Sequence, residues 1–170
     1  IKGVVADIIH VQKDYEVAIE TALGGSIQNI VTDNEQTAKR MIGFLKKNRF
    51  GRATFLPLSN ISGRGGLNQR DVLSEPGVVG TANTLVNADK EYSELVMYLL
   101  GRVLVVDNID HAIAIGKKYR HSLRMVTIEG ESLSPGGSMT GGAFKNNSNL
   151  LGRRREIEEL ETKVESLKNQ

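Results

Sequence analysis

A helix signal, a strand, a second helix and a second strand follow one another twice in this 170-residue chain, about 70 to 77 residues apart. In the first copy Tyr15, Ala18, Ile19, Ala22 and Leu23 fall at helical spacing, and Gly24-Gly25 closes the run. IQNIVT then reads as a strand. Asp33 is positioned to cap a second helix, with Gln36 three residues on as in a capping box. That helix carries Ala38, Met41, Ile42 and Leu45 on one face and ends in Lys46-Lys47. RATFL, residues 52 to 56, is a buried strand that Pro57 stops. Strand, helix, strand in this order predicts a parallel crossover unit.

The second copy begins at Tyr92, Leu95, Val96, Leu99 and Leu100 and is closed by Gly101. RVLVVD is its strand, with Asp107 or Asn108 as cap. Ile109, Ala112, Ile113 and Gly116 continue as a helix before Lys117-Lys118, and RMVTI, 124 to 128, matches RATFL. Any two α/β units share such periodicities, but the matched Tyr, Leu-Gly and Lys-Lys positions favour two related lobes. The expected fold class is therefore α/β with mixed α+β sheets, two lobes of helices packed on small sheets. Lobe I spans about 1–87 and lobe II about 88–149. Residues 57 to 87, rich in turn formers, are too long for a simple loop and should hold short strands such as GVVG.

From Leu150 the pattern changes. Leu150, Ile157, Leu160, Val164 and Leu167 occupy heptad core positions, broken only by Arg153, so 150–170 reads as the start of a coiled coil. Residue 1 is Ile, and the chain reads as an excerpt of a longer protein. No apolar run approaches a membrane span and no signal-peptide layout precedes the first helix. With no cysteine, disulfides, thiolate catalysis and thiolate metal sites are excluded. A net charge of +2 permits nucleic-acid binding without demanding it.

Between the second lobe and the heptads lies SPGGSMTGG, residues 134 to 142, with Gly136-Gly137 and Gly141-Gly142 flanking three residues. Bare backbone there suits a phosphate, a sharp turn or another polypeptide. A phosphate loop needs a Lys-Ser or Lys-Thr pair opening a helix, whereas AFKNNSN follows. If Ser138-Met139-Thr140 is extended, the glycine pairs bracket a strand edge that can template pairing, and this is preferred to a plain turn. Asp107, Asp110 and His111 suggest a metal only until their place at a helix start is noticed, where capping accounts for them. Lys145 and Arg153, Arg154 and Arg155 lie just past the glycines, where a nucleic acid would meet several cations. A solvated helix face is the plainer account of the arginine run.

GVVADIIHVQKDYEVAIETALGGSIQNIVTD, FLKKNRFGRATFLPL and SPGGSMTGGAF running into LLGRRREIEELE together resemble the hinge domain of SMC (structural maintenance of chromosomes) proteins, bacterial condensin type. The resemblance implies a 1–149 dimerisation domain whose two hinges form a two-fold ring. Gly136, Gly137, Gly141 and Gly142 would lie at the dimer contact, and Lys145, Arg153, Arg154 and Arg155 at a DNA-binding junction. Asn146-Asn147 depart from that pattern, where further lysines are often found. It further implies no enzyme and no cofactor in this domain, with ATP and Mg in the parent protein's heads. The other implied partners are DNA and the upstream coiled-coil helix of the same chain. The implied role is chromosome condensation and segregation in the cytoplasm, at the bacterial nucleoid, with no membrane. Two rival readings stand beside it: an α/β nucleotide-binding enzyme fragment, and a DNA-binding domain that dimerises through its coiled coil.

Overall fold

The computed structural model describes residues 1–63, 65–143 and 150–169. Strand β1 (Gly3–Val4), the short helix α1 (Val5–Ile8) and strand β2 (His10–Val11) open the chain. The first repeat follows as α2 (Glu16–Leu23), β3 (Ile30–Thr32), α3 (Glu35–Asn48) and β4 (Phe55–Pro57). Strands β5 (Val78–Thr81) and β6 (Val86–Asn87) occupy the segment between repeats, β5 falling where GVVG predicts one. The second repeat is α4 (Ser93–Leu100), β7 (Val103–Val106), α5 (Ile109–Lys118) and β8 (Arg124–Thr127). The hairpin β9 (Ser132–Leu133) and β10 (Met139–Thr140) comes next, and α6 (Leu150–Lys168) ends the chain.

Both crossovers are parallel as expected. Ile30 pairs with Phe55 across β3 and β4, and Leu104 pairs with Met125 across β7 and β8. The first three-stranded sheet runs β1-β3-β4, and the second, five-stranded, runs β10-β9-β8-β7-β5, while β2 and β6 form a separate pair. The two crossover helices begin alike. Asn34 and Asn108 are extended, and each side-chain oxygen accepts a backbone N–H three residues on, from Thr37 at 3.0 Å and His111 at 2.9 Å. The cap of α3 is thus Asn34, not Asp33, because helical geometry starts one residue later; Asp33 instead accepts the Asn34 N–H at 2.9 Å. Pro57 closes β4 from within as its last residue, where its missing N–H costs no ladder bond to β3.

One core joins the repeats. Ala18, Ile19, Ala22 and Leu23 of α2, with Val31 and Leu56, meet Leu95, Val96 and Leu100 of α4 and Val103, Val105 and Val126. The alternate residues Leu104, Val106 and Met125 face the other way, onto Ala112 and Ile115 of α5, with Leu133 completing that second core. All four residues of β7 are buried, since both sheet faces are covered. The corresponding face of the first sheet is less well covered. There Ile30 and Phe55 lie under α3, yet Ile42, Phe44 and Phe50 remain exposed.

Candidate functional site

SPGGSMTGG forms a turn and then a strand edge. Gly137 donates its N–H to Ser134 at 2.9 Å, closing the turn, and Met139–Thr140 returns along β9 as the outermost strand of the five-stranded sheet. Both residues of β10 are exposed. Gly136, Gly137 and Gly142 have φ of 98°, 106° and 132°, a region that L side chains rarely adopt. A Cβ on Gly136 or Gly142 would meet nothing within 4 Å. At these two positions the protomer itself requires glycine for its positive φ, not for internal packing. Gly141 differs: its φ is not positive, and a Cβ there would come within 3.1 Å of the Glu131 Cγ.

Hydrogen-bond parity fixes what β10 presents outward. Thr127 donates to the Glu131 carbonyl at 2.9 Å, so by antiparallel alternation the Met125–Leu133 pair also exchanges bonds. Leu133 thereby spends its N–H and C=O on β8. On the other side Ser134 donates to the Ser138 carbonyl at 2.9 Å, so the next pair, Leu133–Met139, exchanges none. The N–H and C=O of Met139 consequently point away from the sheet.

The first sheet has a matching open edge at β4. Ile30 donates to the Thr54 carbonyl at 3.0 Å and Leu58 to the Thr32 carbonyl at 2.8 Å. Even-numbered residues of β4 therefore bond inward, and Phe55 turns its backbone groups outward. Beside that edge lies an apolar depression of about 410 Å³ whose lining includes Ile30, Met41, Phe44, Leu45, Ala53 and Phe55.

At the junction with α6 the expected arginine cluster divides. Arg155 is bonded through Nε to Glu16 and through Nη1 to Glu159 at 2.9 Å; these carboxylates hold its guanidinium well above its ordinary pKa. Arg154 pairs with Asp7 at 3.4 Å. Arg153 is exposed. Lys145 lies outside the described residues. The Leu150 N–H donates to Glu20 at 3.2 Å, and burial raises the Glu20 carboxyl above its usual range against that bond, with Glu16 adding to the rise. Leu151, not a heptad position, is the α6 residue that enters the main core. The heptad residues Ile157, Leu160, Val164 and Leu167 are exposed. Sequence periodicity missed Leu151 because one buried residue at a helix start leaves no repeat to detect.

Among the described residues no group of three or more His, Asp or Glu could hold a metal ion, and no helix is long and apolar enough to cross a membrane. Asn108 is the cap expected at Asp107 or Asn108, and Asp107 instead pairs with His111 Nδ1 at 2.7 Å.

Residues 1–116 match the family described as the SMC proteins flexible hinge domain. The chromosome partition protein Smc of Bacillus subtilis is 46% identical over 164 residues, 94% of this chain and 14% of that protein. The Clostridium kluyveri protein of the same name is 44% identical over 165 residues, covering 96% of this chain and again 14% of the relative. The chain thus spans about one seventh of these relatives. Among solved structures, the asymmetric dimer of the Geobacillus stearothermophilus SMC hinge domain superposes with a TM-score of 0.89 at 41% identity. That match covers 98% of this chain and 68% of the other. The Pyrococcus furiosus SMC hinge gives 0.71 at 32% identity, covering 86% and 75% respectively.

Proposed function

The chain belongs to the SMC hinge family, and from that premise we propose that it joins two copies of its parent protein edge to edge, β10 of each copy against β4 of the other. As a hinge domain it is not itself an enzyme. The observation that carries the reading is the exposed outer strand β10, whose Met139 backbone groups face outward unpaired by β9. The first sheet offers a second open edge at Phe55. Two-fold symmetry makes the contact twice, and one contact holds the copies together while the other reforms. Gly136, Gly137, Gly141 and Gly142 then act in two ways. Three hold the positive φ that the backbone takes on either side of β10, and Gly141 leaves room for the Glu131 side chain.

The edge contact is tested by Met139→Pro. Proline removes the outward N–H without touching a bond to β9, and its φ suits an extended strand. The variant should be monomeric by light scattering at low micromolar concentration, with unchanged far-UV circular dichroism. A parent chain lacking α6 should remain dimeric. Loss of the dimer on removing α6 would favour the reading in which the coiled coil alone pairs the copies.

The rest of the role is read at the level of the parent. The exposed heptad seam of Ile157, Leu160, Val164 and Leu167 is the surface for the upstream coiled-coil helix of the same chain. DNA would meet the junction through Lys145 and Arg153, with Arg154 and Arg155 reached only by giving up their carboxylate partners. The parent protein would bind ATP and Mg in separate head domains and act in chromosome condensation and segregation, in the cytoplasm at the nucleoid. Relatives named for chromosome partition support that role.

A further inference from the structure

The internal repeat shows what a strand does when it covers the outer edge of a crossover unit. In the second repeat β9 runs antiparallel along β8, and Leu133 sits opposite Met125 on the face covered by α5. Leu133 is 7% exposed, closing the slot between helix and sheet edge. The first repeat has the same parts: α3 for α5, β3 for β7, β4 for β8. Ile30 corresponds to Leu104 and Phe55 to Met125, since each pair is matched across its parallel strands on the helix-covered side. Among the described residues nothing corresponds to Leu133. The slot is the depression between α3 and β4, and Phe44 at its rim is 59% exposed.

We infer that Met139 of a second copy fills this slot, as Leu133 fills its counterpart within the chain. The inference rests on the edge-to-edge dimer proposed above and names the side chain and the receptor that make it specific. Backbone parity leads to it directly. In an antiparallel ladder, residues whose N–H and C=O both face the partner stand opposite one another with side chains on one face. Met139 and Phe55 are such residues. With the copies paired antiparallel, as β9 is on β8, Met139 falls on the Phe55 side of the joined sheet, under α3, whatever the register.

The register itself is narrowed by the ends. With Met139 opposite Phe55, Gly137 stands opposite Pro57. Pro57 has no N–H to give, and the N–H of Gly137 is already donated to Ser134, so neither loses a bond by the mismatch. At the other end Gly141 stands opposite Ala53, a second hydrogen-bonding pair made of two small residues. Gly141 also leaves room for Glu131, whose Cγ would lie 3.1 Å from an added Cβ, and Arg40 at the margin of the partner's depression supplies an opposite charge. Met139 is 51% exposed in the single copy, so about half of its surface remains to be buried. A thioether suits an irregular slot rimmed by Phe44 and Phe55.

The chain has no cysteine, so paired thiols report the geometry without background. The full chain carrying Met139→Cys and Phe44→Cys, treated with a short bis-maleimide, should form covalent dimers. Thr140→Cys with Phe44→Cys should not, because Thr140 points to the opposite face. Separately, Met139→Ala should raise the dimer dissociation constant about tenfold per contact, about a hundredfold for the two, from half the apolar area of three side-chain atoms. Dimers that cross-link through Thr140→Cys and not Met139→Cys, or that are indifferent to Met139→Ala, overturn this inference and leave the edge contact standing. A parent chain that is monomeric at tens of micromolar overturns the dimer and this inference with it.

Discussion

Leu151→Ala is the substitution through which the attachment of α6 is most directly measured. Leu151 is 3% exposed within the main core, at the first turn of a helix whose heptad residues further on are open to solvent. Truncation removes buried apolar surface and leaves a cavity, together costing about 2 to 3 kcal/mol at such a site. The cost falls on docking of α6 rather than on the globule, because the other anchors are polar: Arg154 with Asp7, Arg155 with Glu16, Glu158 with His10 and the Leu150 hydrogen bond to Glu20. A freed helix of 19 residues is marginal in water. Amides in the first turns of α6 should exchange about 30- to 140-fold faster with deuterium, since 1.4 kcal/mol is tenfold. Amides of β7, whose four residues are buried, should not change. Leu160→Ala, at a residue 62% exposed, is the control and should leave both regions as they are. Unchanged protection of α6 in Leu151→Ala, or equal loss in β7, would refute the view that this one side chain fastens the helix to the body.

Gly136→Ala should cost about 1 to 2 kcal/mol in urea denaturation from backbone strain alone, while Gly141→Ala should cost less because the Glu131 side chain can move aside; equal costs would remove the conformational account. Tyr119 donates its hydroxyl to Asp71 and Glu75 at 3.2 Å, and burial followed by those two carboxylates pushes its pKa up to about 12. Its ordinary value is near 10, so the folded form gains stability fully present below about pH 10 and lost as pH rises toward 12. Absorbance titration at alkaline pH should show a late tyrosine that Tyr119→Phe removes, and a single step near pH 10 in the parent would contradict this. Arg153→Glu should flatten the salt dependence of DNA binding by about 0.9 per lost phosphate contact, whereas Arg154→Glu should chiefly lower the melting temperature by setting a second carboxylate against Asp7.

The crossover units were legible because each combines a helical period, a glycine stop and a strand too apolar to be a loop. Leu95, Leu100, Ala18 and Ile19 are buried where those periods place them. The short strands β1, β2 and β6 were not legible. Two residues cannot show an alternation, and their pairing depends on partners far along the chain, as His10 with Asn87. The candidate site was visible as a strand bracketed by glycines, and β10 is that strand. In the sequence its glycines suggest bare backbone awaiting a neighbour, yet at Gly136 and Gly142 the immediate requirement is a positive φ, which composition alone does not distinguish from close approach. The arginine run shows the opposite limit. Three identical letters, Arg153 to Arg155, divide into one exposed cation and two with acidic partners from α1 and α2, and only the docked helix separates them.

The fastening of α6 has a mechanical corollary. Its anchors, Leu151 apart, include Asp7, Glu16 and Glu20 on α1 and α2 and His10 on β2, while β10 lies at the far rim of the other sheet. A pull or twist along the arm would thus be delivered to α1, β2 and α2, and through α2 to α4 and β8, before it reached the proposed contact at β10. In the proposed dimer the body would act as a bracket, spreading load over several elements before any of it strained the edge contact.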